Sequence, residues 1–280
     1  MGPLPLPREH GSWILFAGPA VLGPLLAGAI HPATILAWVS GLALFLLREP
    51  LRTRARTPWV PTLAALSGLA AVPLLVRWPL ALIGLPVVAA GFTCERVGGP
   101  RLASNPWWQL AGTAALALMA PATFLASGGT AAEVGPGAAV GAGVAAGDLT
   151  SGVFVQLSGL WALATAGFGL GVLHVQVLVK WVRLSESELT PWVRLATAWW
   201  FPLAAAGGTA LVWWMGRAGG TPPTGSMVPA GVWPALLPGV ARSLWTVAFE
   251  RRQTRFKRVG QLETAFAVLF IALAKLLWRF

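Results

Sequence analysis

The sequence predicts an all-helical membrane protein, a polytopic transmembrane bundle of about nine spans that forms a single domain over residues 1–280. Three observations indicate this class. The chain is 56% hydrophobic and only 10% charged, with a mean hydropathy of +0.70, whereas soluble domains are roughly 25% charged. Apolar runs of about 20 residues, the length that crosses a bilayer, follow one another along the chain. Basic residues collect in the segments between those runs.

The apolar runs define the predicted spans, and no folded soluble domain lies between them. The first run, Ser12–Ile30, is long for the core of a signal peptide and a second run follows at once, so we interpret it as a helix. The eighth run contains Pro229, Pro234 and Pro238 and is predicted to be bent or partly interfacial. The spans are approximately Ser12–Ile30, Pro32–Leu47, Trp59–Val76, Pro79–Cys94, Pro106–Ser127, Gly152–Val179, Trp192–Met215, Val228–Ser243 and Val259–Leu277.

The distribution of Lys and Arg predicts the orientation of the bundle. With the N-terminus in the cytoplasm, fifteen basic residues fall on the cytoplasmic side and four fall outside, in agreement with the positive-inside rule. Tryptophans near the predicted ends of spans, such as Trp59 and Trp192, suit the membrane interfaces. The connection Gly128–Ser151, which is mostly Gly, Ala and Val, is predicted to be a flexible external loop.

The net charge of +11 indicates an anionic partner. Because the basic residues lie between apolar spans, we expect that partner to be membrane lipid and not nucleic acid. The single cysteine, Cys94, lies within an apolar run, so the sequence predicts neither a disulfide framework nor a cysteine pair for a metal. His10 and His174 are not part of a local ligand motif such as HExxH. We therefore predict no metal and no cofactor.

Ionisable groups near or inside the predicted spans are candidates for function, because burying them in a membrane is costly. His10 lies at the cytoplasmic mouth of the first span. His174 and Arg242 lie roughly 9 to 12 Å inside the sixth and eighth spans. Glu263 lies about one turn into the ninth, at a depth that suits pairing with Arg242. These positions predict a polar pocket that opens to the cytoplasm and binds a substrate.

Structural roles remain open for the same residues. His174 also fits a hydrogen-bonded packing residue, Arg242 a residue that extends to the interface, and Glu263 the ion-pair partner of Arg242.

The segment Arg48–Pro58, REPLRTRARTP, packs four arginines between two predicted spans. Arginine grips phosphate through two parallel hydrogen bonds, so Arg52, Arg54 and Arg56 are predicted to bind an anionic head group. Lys180, at the cytoplasmic end of the sixth span, is predicted to join them. The alternative is that these charges only set the topology.

Three stretches resemble the YwiC-like family of bacterial integral membrane proteins. They are REHGSW at Arg8–Trp13, RLASNPWWQLAGTAALALMAPATFLASGG at Arg101–Gly129 and GVLHVQVLVKWVR at Gly171–Arg183. The first is the most specific, because apolar spans resemble one another. The resemblance implies a multi-pass protein of the bacterial cytoplasmic (inner) membrane, but it implies no defined activity.

The predicted plan of nine helices with the N-terminus inside is also similar to that of the UbiA-type prenyltransferases, and RTRARTP resembles the basic tail after their first Asp-rich motif. Both positions that correspond to those motifs lack aspartate here. Arg48, Glu49 and Arg52 stand at the first position, and His174, Gln176 and Lys180 at the second. Diphosphate binding through Mg²⁺ with the usual oxygen ligands is therefore not expected.

Three functions are compatible with these features, and whether the chain is an enzyme stays open. The first is a UbiA-like intramembrane site that binds an isoprenoid or another anionic lipid from the cytoplasmic side without the Mg²⁺-binding aspartates. The second is a small-molecule transporter, a class that typically has internal repeats and a binding site near the membrane midplane. The third is a structural or assembly partner of another membrane protein.

Overall fold

The computed structural model describes residues 10–53, 57–77, 93, 105–128, 151–182, 184, 188, 190, 230–249 and 256–278. In these residues the secondary structure is helical and contains no strand. The helices are α1 (His10–Ala27), α2 (Pro32–Thr53), α3 (Trp59–Arg77), α4 (Pro106–Ala117), α5 (Met119–Ala126), α6 (Ser151–Val182), a 3-10 helix (Ala230–Leu236), α7 (Leu237–Phe249) and α8 (Phe256–Leu277).

Within the described residues, four helical segments are long and apolar enough to cross a membrane: Pro32–Leu51, Trp108–Ala126, Leu157–Val182 and Arg258–Leu277. Two shorter apolar helical segments, Trp13–Ala27 and Trp59–Val72, match further predicted spans. The all-helical class and the membrane-spanning character are therefore supported. The fourth predicted span, apart from Thr93, and the whole of the seventh lie outside the described residues. The number of nine spans stays a prediction.

Prolines break the regular helix in two of the predicted spans. The fifth, predicted as one helix, is divided into α4 and α5 at Leu118. Pro121 explains this division, because it has no N–H to donate to the carbonyl of Ala117. In the eighth span, a 3-10 helix that contains Pro234 precedes α7. This change of helix type agrees with the irregular segment that the prolines predict.

Helix α1 lies at the centre of the described bundle and packs against α2, α4, α5, α6 and α8. Glycine residues permit the closest approach between neighbouring helices. At Gly23 a side chain would collide with the carbonyl oxygen of Ala120 on α5, and at Gly167 of α6 it would collide with the ring of Phe270 on α8. Gly167 therefore serves the close packing of α6 against α8.

The two largest apolar clusters among the described residues join most of the helices. The larger joins α1, α5, α6, the 3-10 helix and α8 around residues such as Leu22, Phe124 and Phe168. The smaller joins α1, α2 and α3, where Phe16 stacks on Phe45. The cavity that holds the candidate site borders the larger cluster, since Phe168 and Phe270 belong to both.

Candidate functional site

A cavity of about 820 Å³ opens between α1, α2, α4, α6, α7 and α8. Its wall is mostly apolar and includes Leu15, Phe168 and Phe270, while about a third of the lining residues have polar or charged side chains. Small-molecule sites in proteins typically measure roughly 300 to 1,000 Å³ and combine an apolar wall with polar groups that orient the ligand. The size and lining of the cavity therefore suit one small amphipathic ligand.

An ion pair between Arg242 of α7 and Glu263 of α8 forms part of the cavity wall. The distance from Arg242 Nη1 to Glu263 Oε1 is 2.6 Å, and the two side chains are 9% and 12% exposed. The guanidinium carbon of Arg242 also lies 4.6 Å from the centroid of the Phe266 ring, within the range of a cation–π contact. The predicted pairing is confirmed, and the Phe266 contact adds a feature that the sequence did not indicate.

His174 lies beside this ion pair and also lines the cavity. It is 4% exposed, and its Nε2 lies 3.9 Å from Glu263 Oε1. Gly171 lies one turn earlier on α6, where a Cβ atom would come within 2.7 Å of Glu263 Oε2. The absence of a side chain at position 171 therefore makes room for the carboxylate. The structure thus gives Gly171 a place in the candidate site.

Two amide side chains line the cavity from α4 and α6. Gln176 donates a hydrogen bond from Nε2 to Gln109 Oε1, which joins the two helices. Gln109 was not predicted as a site residue, although a glutamine within an apolar segment is itself a signal of a buried polar contact. The pair adds neutral hydrogen-bonding groups to the cavity wall.

The basic residues predicted to bind phosphate are only partly located. Arg48, at the cytoplasmic end of the second predicted span, lines the cavity, although it was not in the predicted substrate-binding set. Arg54 and Arg56 lie outside the described residues. His10 and Arg52 belong to α1 and α2, but their side chains are outside the described part. Lys180 is exposed at the end of α6 and is not among the described residues that line the cavity.

The lining residues come almost entirely from the halves of the helices that are predicted to face the cytoplasm. Leu15 lies in the first half of α1, Arg48 near the end of α2, Gln176 in the second half of α6 and Glu263 in the first half of α8. The structure therefore brings together residues that the predicted topology assigns to one side. Among the described residues, no group of three or more His, Cys, Asp and Glu side chains is placed to hold a metal ion.

Comparison with known proteins finds a family model that matches the N-terminal part of the chain. The family model described as YwiC-like protein matches residues 6–126. No curated protein and no solved structure matches the chain. The matched range contains Arg48 and Gln109 of the cavity, whereas His174, Arg242 and Glu263 lie beyond it. The resemblance to the YwiC-like family is therefore confirmed, by a match that extends over residues 6–126 of this chain.

Proposed function

We propose that this protein provides an intramembrane site for an amphipathic molecule with an apolar chain and an anionic phosphate head, an isoprenoid phosphate or an anionic lipid, which enters from the cytoplasmic side. The observation that carries the proposal is the cavity of about 820 Å³, in which Arg48 and the Arg242–Glu263 pair stand within an otherwise mainly apolar wall. A wall of this kind offers hydrocarbon contact to a chain and charge to its head.

The position of the cationic groups supports an anionic head. Arg48 of α2 and Arg242 of α7 line the same cavity from different helices. Arginine presents a planar fork of donors that matches phosphate oxygens. Arg52 follows Arg48 by four residues in the sequence and adds a further positive charge to this segment.

The distant resemblance to UbiA-type prenyltransferases supports a ligand with an isoprenoid chain. It does not support a transfer reaction. In that comparison neither position that would hold Mg²⁺ contains an aspartate here, and Arg48, Arg52 and Lys180 are among the residues that stand there. The proposed recognition therefore relies on guanidinium groups instead of a bridging metal, and no group transfer is proposed.

Native mass spectrometry of the full chain tests the proposal with four probes. Lysophosphatidylglycerol and farnesyl diphosphate carry the proposed anionic heads, while lysophosphatidylcholine and farnesol share their chains without a net negative charge. We expect retention of an anionic probe and loss of its neutral counterpart. Preference for one anionic probe over the other identifies the source, a lipid or an isoprenoid.

Arg48→Gln should weaken retention of the anionic probe, whereas Arg258→Gln, at an exposed position of α8, serves as a matched control. Equal retention of charged and neutral probes by the wild-type protein, or no retention of either, refutes the proposal. In that case a role as an assembly partner of another membrane protein becomes the leading hypothesis.

A second candidate is a small-molecule transporter. The observation in its favour is the group formed by His174, Glu263 and Arg242, because ionisable residues inside membrane spans commonly mark ion or proton pathways. Uptake of a labelled anionic probe into proteoliposomes distinguishes transport from binding alone.

A further inference from the structure

We propose that the anionic ligand binds by replacing Glu263 at Arg242, and that Glu263 takes up one proton as this exchange occurs. The inference rests on the proposed function, because it requires an anionic ligand in the cavity. It goes beyond that function by making ligand binding dependent on protons.

The geometry creates a competition for Arg242. Its Nη1 atom already contacts Glu263 Oε1 at 2.6 Å, and its guanidinium carbon lies 4.6 Å from the centroid of the Phe266 ring. Both members of the pair line the cavity. A ligand phosphate that reaches the guanidinium group therefore approaches a carboxylate of the same charge. Leaving two anions together in a site shielded from water is strongly unfavourable.

Uptake of a proton removes this conflict and conserves the charge. One proton from water forms an O–H bond on the Glu263 carboxylate, and the negative charge of the ligand takes the place of the carboxylate charge beside Arg242. His174 is a neighbouring titratable group, but its Nε2 lies 3.9 Å from Glu263 Oε1, beyond the reach of a direct hydrogen bond. The net charge of the occupied site with a monoanionic ligand then equals that of the empty site.

The described groups around Glu263 leave few other acceptors for this proton. Helix α6 contributes His174, and α7 contributes Arg242. Arg48 of α2 lines the same cavity, together with the neutral amides of Gln109 and Gln176. Within their described side chains, α1 and the 3-10 helix carry no titratable group. Glu263 is therefore the carboxylate to which the exchange is assigned.

The test uses lysophosphatidylglycerol, because its phosphodiester keeps one negative charge between about pH 6 and pH 8. The full chain is placed in phosphatidylcholine nanodiscs, and the Kd is measured across that range. The occupied site holds one more proton than the empty site, so lower pH favours binding. The expected affinity rises about tenfold for each unit by which the pH falls, the slope of one coupled proton.

Glu263→Gln removes both the competing charge and the proton acceptor. It should bind the probe with no pH dependence, and at about pH 8 it should bind more tightly than the wild-type protein. Arg258→Gln changes an exposed arginine on the same helix and should keep the wild-type slope. His174→Gln should also keep the slope, because the proton is assigned to Glu263 and not to His174.

The outcomes separate this inference from the proposed function. A flat wild-type profile with binding retained refutes the proton exchange and leaves the binding site standing, whereas no binding at any pH refutes both. A slope that is kept in Glu263→Gln and lost in His174→Gln assigns the proton to His174 and overturns the inference. If Glu263→Gln fails to fold, titration calorimetry of the wild-type protein in two buffers of different ionisation enthalpy decides, and an uptake of zero protons overturns it.

Discussion

Arg242 Nη1 lies 2.6 Å from Glu263 Oε1, so an ion pair joins α7 to α8 inside the bundle. The pair lines the cavity and brings together two charges that are 21 residues apart in the sequence. Burying either charge alone is costly, whereas in the pair the attraction between the two charges offsets part of that cost. The relationship therefore bears both on the stability of the helix contact and on ligand recognition.

The contribution of the ion pair to stability should be clearest when only one partner is removed. Arg242→Met leaves Glu263 as a buried carboxylate without its cation, and we expect a loss of about 3 to 5 kcal/mol of unfolding free energy. The double variant Arg242→Met, Glu263→Leu should lose less. Denaturant unfolding in detergent measures both, with Arg258→Met, at an exposed position, as the control. Equal stability of the single and double variants would remove the pair as a source of stability.

A methyl group at position 171 should alter ligand binding, because Gly171 lies against the Glu263 carboxylate. A Cβ atom there would lie 2.7 Å from Glu263 Oε2, so Gly171→Ala must displace the carboxylate. A displaced carboxylate competes less with the ligand phosphate for Arg242, so we expect tighter anionic ligand binding at about pH 8. The change in thermal stability should be modest, because the end of a glutamate side chain can move. Gly68→Ala, which has open space around the new methyl group, should leave binding unchanged. Unaltered affinity in Gly171→Ala would show that the position of this carboxylate does not matter for the ligand.

The arginines at the end of α2 and just after it can either set the membrane topology or bind the ligand, and one replacement distinguishes these two roles. Replacing Arg52, Arg54 and Arg56 together by lysine keeps the positive charge that sets orientation but removes the planar fork that grips phosphate. We expect unchanged membrane insertion and weaker retention of the anionic probe in native mass spectrometry. If the lysine form retains the probe as well as the wild-type protein, the three arginines act only as an orientation signal.

The orientation is tested by reporter fusions. A reporter placed after Arg258, at the start of α8, should be cytoplasmic, and one at Gly137 should be external, because the excess of Lys and Arg lies on the predicted cytoplasmic side. Alkaline phosphatase and green fluorescent protein fusions read the two compartments. Detection of both sites in the same compartment would discard the nine-span arrangement.

The sequence by itself determined the helical membrane class and the irregular eighth segment. Apolar runs and prolines act locally, since hydrocarbon demands satisfied backbone hydrogen bonds and proline cannot donate one. It also predicted the Arg242–Glu263 pair, because the depth of a residue in a span follows from its distance to the span end. The division of the fifth span at Leu118 was missed, although Pro121 was visible as its local signal.

Only the tertiary structure decided which faces of the helices meet. The contact of Gln109 with Gln176, the Phe266 ring under Arg242 and the space that Gly171 leaves for Glu263 each depend on the rotation and spacing of packed helices. Hydropathy does not specify that rotation, because a span that is apolar on all sides has no face marked for its neighbour. The cavity with Arg48 in its wall therefore emerged from packing, as small residues and proline breaks set how closely each helix approaches the next.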